Sequence, residues 1–212
     1  MIEANDVVLF QGDSITDAGR SRQNTAANDR PGLGSGYSYL AAARLLAGRP
    51  TDKLKFLNRG ISGNQVIHLA DRWRNDCIDL SPDVLSILIG INDTWRFFDG
   101  GEGVPVDKYR QVYHDLLTDA REALPNVKLV LCEPFILRCG VVTEQWYEQV
   151  ADRQKIVAEF ADEFDARLVP FQSRFDEASE RVDPTYWAHD GVHPTAAGHA
   201  LMADCWLKTV CA

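Results

Sequence analysis

What the chain lacks narrows it first. No apolar run among its 212 residues approaches the length of a membrane span, and no two of its five cysteines form a C-x-x-C pair. Cys77, Cys132, Cys139, Cys205 and Cys211 are odd in number and scattered, which speaks against a disulfide framework and for a reduced, cytoplasmic setting. The opening MIEANDVVLF has no basic segment followed by a long apolar one, so no secretory leader is expected. Positive charge is also short. Lys and Arg number 22 against 31 Asp and Glu, a net charge of −9. A surface of that sign speaks against nucleic acid and anionic membranes as partners and suits neutral small molecules or neutral glycans. No internal repeat, low-complexity tract or linker interrupts the sequence. With 45% hydrophobic residues the chain can bury a full core, and one domain over residues 1–212 is expected.

What is present is an alternation of short apolar runs with helical patterns. Val7–Gln11, Leu54–Asn58, Val84–Gly90, Val127–Glu133 and Arg167–Phe171 read as strands, and their near-continuous hydrophobicity suits a parallel sheet covered on both faces. Val66, Leu69, Ala70, Trp73 and Cys77 share one helical face, as do Tyr109, Val112, Tyr113, Leu116, Leu117 and Ala120. Helices are also expected over Tyr37–Leu46, Glu144–Phe164 and Ala196–Val210. The pattern predicts an α/β architecture with right-handed crossovers. Two long polar or Gly-rich stretches, residues 15–36 and 94–107, break the rhythm and read as functional or mobile loops.

Ligands of open α/β sheets bind outside the carboxyl ends of the strands, where the strand order reverses. The first strand is followed by GDSIT with Ser14, the second by NRGISGN with Gly63, and the third by GIND with Asn92. HDGVHPTAAGH precedes the last helix. Each element has a chemical use. Ser14 can act as a nucleophile if His193 takes its proton, and Asp190 can fix the imidazole tautomer and stabilise its cation. The backbone N–H groups of Ser14 and Gly63 and the amide of Asn92 can donate to an oxyanion, with the missing Cβ of Gly63 leaving room for close approach. Pro194 holds His193 extended and pre-sets the start of the last helix. Asp13 reads as a cap or brace of the turn, and Asn58 and Ser62 as side-chain ties for the Gly60–Gly63 loop.

The blocks GDSIT, GISGN, GIND and DGVHP, in this order from Gly12 to Pro194, resemble those of the SGNH (GDSL-type) hydrolase family. That resemblance implies a flavodoxin-like three-layer α/β/α sandwich with a five-stranded parallel sheet. It also implies a serine esterase with Ser14, Gly63, Asn92 and His193 in the four name-giving roles and Asp190 completing the triad. FQGDSITDAGR, LGSGY, NRGISGN, IGINDTWR and HDGVHPTAAGH are most similar to the intracellular acetylxylan esterase branch. This implies removal of acetyl groups from short xylo-oligosaccharides, a homo-oligomeric assembly and no cofactor.

Other readings remain beside it. His189, Asp190 and His193 could be metal ligands, but Pro194 breaks the helical spacing such a pair would need, and the first strand lacks a following D-x-H; no metal is expected. Trp95, Tyr186 and Trp187 can stack on a sugar or simply pack their loops, and Arg96 can reach substrate. His189 lines the pocket mouth or lies on the surface. His68 and His114 read as surface residues, and His199 as part of the last helix. The polar residues Arg20, Ser21, Arg22, Gln23, Asn24, Asn28 and Asp29 suit hydrogen bonds to substrate hydroxyls. Phe97 and Phe98 are apolar exceptions, available to a subunit interface. The same triad would also serve a lysophospholipase or other lipid-acyl esterase, and the SITDAG loop could instead hold a phosphate or flavin in a non-catalytic module.

Overall fold

The computed structural model describes residues 1–211. Five strands, β1 (Val7–Gly12), β2 (Lys55–Asn58), β3 (Val84–Leu88), β4 (Lys128–Cys132) and β5 (Arg167–Val169), pair in parallel in the order β2-β1-β3-β4-β5. This is the flavodoxin-like order, and it confirms the expected class. The register places Phe10 opposite Asn58 and Gly12 opposite Leu88, so the ends that carry the chemical blocks finish level.

The continuous apolar runs are explained by burial on two faces. Val8 and Phe10, Val84 and Leu88, and Val130 and Cys132 enter one core; Leu9, Leu85, Ile87, Leu129 and Leu131 enter the other. Alternate residues of a strand point to opposite faces, so a covered sheet needs apolar side chains at both phases. Each fully buried aliphatic side chain contributes roughly 1.5–3 kcal/mol. The first core is closed by α3 (Tyr37–Gly48), α8 (Phe171–Ser179) and α9 (Ala196–Cys211), the second by α4 (Val66–Asp76) and α6 (Val106–Ala123). The long α7 (Glu144–Glu163) serves both: Trp146 and Val150 join the first core, and Ile156, Val157 and Phe160 the second.

Several boundaries differ from the sequence reading. Phe171 is not a strand residue but the start of α8, and it is fully buried in the core. The stretch read as a loop over 15–36 instead holds most of one single-turn helix, α1 (Ser14–Asp17), and all of another, α2 (Arg30–Leu33), the second capped by Asp29. A further turn, α5 (Ile91–Trp95), replaces the beginning of the loop read over 94–107. The last helix starts two residues after Pro194. Thr195 caps it, its hydroxyl accepting the Gly198 N–H at 3.2 Å, while Pro194 bridges back to Ala188. Among the described residues no helix is long and apolar enough to cross a membrane.

Candidate active site

Because β2 and β3 flank β1 on opposite sides, the chain reverses direction across the sheet at the β1–β3 boundary. The carboxyl ends there leave a crevice. Ser14 emerges from β1 and Asn92 from β3 at this boundary, so both blocks face the same opening. Ser14, Ser62, Gly63, Asn92, Trp95, Arg96, Asp99 and His193 line a cavity of about 190 Å³.

The three triad candidates meet. Ser14 Oγ and His193 Nε2 are 2.9 Å apart, and His193 Nδ1 and Asp190 Oδ2 are 2.6 Å apart. Asp190 Oδ1 also accepts the backbone N–H groups of Val192, at 2.9 Å, and His193, at 2.7 Å. The carboxylate thus folds its own loop and orients the ring. Partial burial raises the Asp190 carboxyl, but the bonds from the His193 ring and the two N–H groups outweigh it and bring it down to about 2. The same hydrogen bond raises the His193 imidazole above its ordinary value, with burial opposing.

The donor side assembles from two turns. Asn92 is buried, and its Nδ2 donates to the carbonyl of Asn64 at 3.0 Å. An amide carries two such hydrogens, so one remains for a ligand. Gly63 sits at φ +82°, which a side chain rarely adopts, whereas the space around a Cβ there is open as far as Arg96 Nη2 at 3.9 Å. The glycine is therefore demanded by backbone conformation rather than by crowding from neighbouring side chains. Gly12 is the crowded one: a Cβ would lie 2.4 Å from the carbonyl oxygen of Leu88.

Asp13 takes the expected structural role. Its Oδ1 accepts the Ile15 N–H at 3.0 Å. Burial pushes the carboxyl up to about 7, and the remaining oxygen meets no partner among the described residues. Asp93 is raised to about 7 for the same reason, while accepting the N–H of Val66. Asn58 ties the Gly60 loop as expected, donating to the carbonyls of Thr16, at 2.6 Å, and Leu33, at 3.0 Å, and accepting the Gly60 N–H at 2.8 Å. Ser62 contributes differently, through its backbone N–H to Asp17 at 3.0 Å.

The polar stretch after Ser14 does not face the cavity. Arg20 is buried, and its Nε donates to the Gly60 carbonyl at 2.7 Å. Asn28 completes the free edge of β2, donating to the carbonyls of Leu54 and Phe56 and accepting the Phe56 N–H. These two side chains are taken up by the loop and the sheet edge. Trp95 and Arg96 do line the cavity; the Trp95 ring lies 5.6 Å from that of His193 and 5.4 Å from Trp146, and Arg96 pairs with Asp99. Tyr186 is exposed and Trp187 half-buried, and neither is part of the cavity wall; His189 is an exposed neighbour of Asp190. Phe98 stacks on Trp146 at 5.1 Å, leaving Phe97 as the exposed member of the pair.

His199 is packed. It accepts the Tyr37 N–H at 3.2 Å, and burial lowers its imidazole to about 4. His68 accepts the Gln65 N–H in a capping box rather than standing free on the surface, and His114 pairs with Glu163. Among the described residues no three His, Cys, Asp or Glu side chains are arranged to hold a metal ion.

Residues 10–201 match the GDSL-like lipase/acylhydrolase family. The acetylxylan esterase of Geobacillus stearothermophilus is 35% identical over 215 residues, covering 99% of this chain and 95% of that protein. The crystal structure of Axe2, an acetylxylan esterase from the same organism, superposes with a TM-score of 0.90 at 32% identity, covering 98% and 95% of the two chains. A structure from Parabacteroides merdae described as a GDSL-like lipase gives 0.94 at 44% identity, covering 99% and 97%. These relations replace the non-catalytic alternative with a hydrolase. The chain belongs to the GDSL-like lipase/acylhydrolase family and is a carboxylic-ester hydrolase.

Proposed function

We propose that the enzyme removes acetyl groups from short acetylated sugars, xylo-oligosaccharides foremost, through an acetyl-enzyme on Ser14. The observation that carries the reading is the continuous hydrogen-bonded line from Asp190 through His193 to Ser14, opening on a cavity that Gly63 and Asn92 also line. In the Geobacillus esterase, replacing a serine, a histidine or an aspartate by alanine gives what are called catalytic mutants.

His193 Nε2 takes the Ser14 hydroxyl proton as Oγ attacks the acetyl carbonyl. The carbonyl oxygen becomes an oxyanion, held by the N–H groups of Ser14 and Gly63 and the free amide hydrogen of Asn92. One such donor is typically worth about 2.7–4 kcal/mol in the transition state. Collapse breaks the bond to the sugar oxygen, which leaves with the proton from Nε2. Water then attacks the acetyl-enzyme, gives its proton to the same nitrogen, and acetate departs as Ser14 regains a hydrogen. Asp190 stays ionised throughout and stabilises the imidazolium. No cofactor enters.

The cavity supports a short acyl group. At about 190 Å³ it is below the ~300–1,000 Å³ usual for ligand pockets. Trp95, at its rim, offers an aromatic face to a sugar. A lipid-acyl esterase would need an apolar channel leading from Ser14. The larger cavity nearby, about 560 Å³ and lined by Ile136, Leu137, Tyr147 and Val150 among others, shares no wall residue with the catalytic one. Acetate release from a panel of acetylated xylo-oligosaccharides tests the proposal. Efficient release is expected; activity on lysophospholipids without activity on any acetylated sugar would overturn it.

A further inference from the structure

One charged side chain outside the cavity touches the segments leading to both halves of the catalytic site. Arg72, on the inner face of α4, is only 14% exposed at its side chain. Its Nε donates to Asn64 Oδ1 at 2.9 Å. Its Nη1 donates to Gln11 Oε1 at 3.0 Å, to the Arg59 carbonyl at 2.8 Å and to Asp76 Oδ2 at 3.0 Å. Its Nη2 reaches the carbonyl of Gly12 at 3.3 Å. Gln11 and Gly12 end the strand that delivers Ser14, and Arg59 begins the loop that delivers Gly63. Asn64 is the residue whose carbonyl holds the Asn92 amide.

We propose that Arg72 is a positioning residue of the oxyanion site, its guanidinium fixing the distance between the Gly12–Ser14 and Gly63–Asn64 turns and, through Asn64, the aim of Asn92. The inference rests on the oxyanion roles given above to Gly63 and Asn92. Asp76 balances the charge, which leaves the neutral contacts to set geometry. A planar fork can hold acceptors on several sides at fixed angles, whereas an ammonium at the same place is a single point with three donors. Lysine should therefore keep the ion pair with Asp76 and lose the span. A misplacement of about 1 Å at a reacting centre can cost on the order of 10²-fold in rate, so small shifts of the two turns are enough to matter.

The test compares Arg72→Lys with wild type on p-nitrophenyl acetate, below the melting temperature of both, and repeats the substitution in an Asn92→Ala background. Arg74→Ala is the control, since Arg74 sits on the same helix and pairs with Asp79 at the surface. The expected result is a kcat lowered about tenfold or more with KM within about threefold, an unchanged control, and a loss that becomes smaller once Asn92 is gone, the remainder coming from the Ser14 and Gly63 donors. Asn64→Ala cuts the same link from its other end without removing the charge, and is expected to lower kcat severalfold, which keeps the idea open to refutation if Arg72→Lys does not fold. Wild-type kcat in Arg72→Lys, or in Asn64→Ala where that is the folded variant, overturns the proposal, as does an equal loss with and without Asn92. Full activity of Asn92→Ala alone would overturn the oxyanion reading first, and the role of Arg72 with it.

Discussion

Asp17 Oδ2 accepts the backbone N–H of Ser62 at 3.0 Å, and this bond fastens the turn that begins with Ser14 to the loop that carries Gly63. The proposed nucleophile Ser14 and the proposed oxyanion donor Gly63 follow different strands, so their spacing depends on such ties. Asp17→Ala is expected to lower kcat by about tenfold with little change in KM, because a displaced donor weakens the transition state more than the ground state. Asp17→Asn retains an acceptor and should lose much less. Steady-state kinetics on p-nitrophenyl acetate decides it; a rise in KM at constant kcat would assign Asp17 to substrate binding instead.

Ser14, His193 and Asp190 form one hydrogen-bonded line and should fail as a unit. Ser14→Ala and His193→Ala are each expected to reduce turnover by roughly 10⁴-fold or more, and the double variant should be little worse than either. Losses that multiply in the double variant would contradict a shared relay.

The pH profile follows from the direction of the His193 shift. The hydrogen bond that its Nδ1 donates to Asp190 raises this imidazole above its ordinary 6.5, and only the neutral ring can accept the Ser14 proton. Activity is therefore full above the His193 value and lost as pH falls through it. The acid limb of kcat/KM, which reports the free enzyme, should lie above that ordinary value. Asp190→Asn should move the limb down while lowering turnover, by roughly 10³–10⁴-fold if the ring also takes the wrong tautomer. An unmoved limb would mean another group controls it.

Asp13 gives a stability prediction of opposite sense. Its carboxyl rises from an ordinary 3.8 to about 7 on burial, so between these values the folded chain holds a proton that the unfolded chain releases. That contribution is complete below the unfolded value and lost as pH rises through the folded one. Asp93 behaves alike, while His199, lowered to about 4, costs stability as pH falls from about 6.5 toward 4. Asp13→Asn keeps an oxygen for the Ile15 N–H and has no proton to lose. Urea unfolding at about pH 5 and pH 8 should show the variant losing less stability across that interval than wild type. Parallel curves would remove Asp13 from the account.

The strands and the longer helices were legible because their signals are local: apolar runs at both phases of a strand, apolar faces at helical spacing. The candidate triad was legible because three short blocks each follow a strand and the fourth leads into the last helix. What escaped was settled by contacts between distant segments. Arg20 and Asn28 are polar residues in a polar loop, and nothing nearby shows that one brings its guanidinium to Gly60 and the other finishes the edge of β2. His68 and Arg72 face inward from a helix whose sequence flank looked exposed. The single-turn helices α1, α2 and α5 are too short to show a period. A capping aspartate was the available sign for two of them, Asp13 before α1 and Asp29 before α2.

Whether Ser14 serves a small, acetyl-sized site shows in kcat/KM along a series of p-nitrophenyl esters from acetate to octanoate. In an apolar channel each added methylene would contribute about 0.8 kcal/mol of binding, and efficiency would climb steeply. The cavity of about 190 Å³ walled by Ser14, Ser62, Gly63, Asn92, Trp95, Arg96, Asp99 and His193 offers no such channel, and efficiency should fall from acetate onward. A rise of about tenfold or more toward octanoate, against that expectation from methylene burial, would contradict the acetyl reading and favour a lipid-acyl esterase.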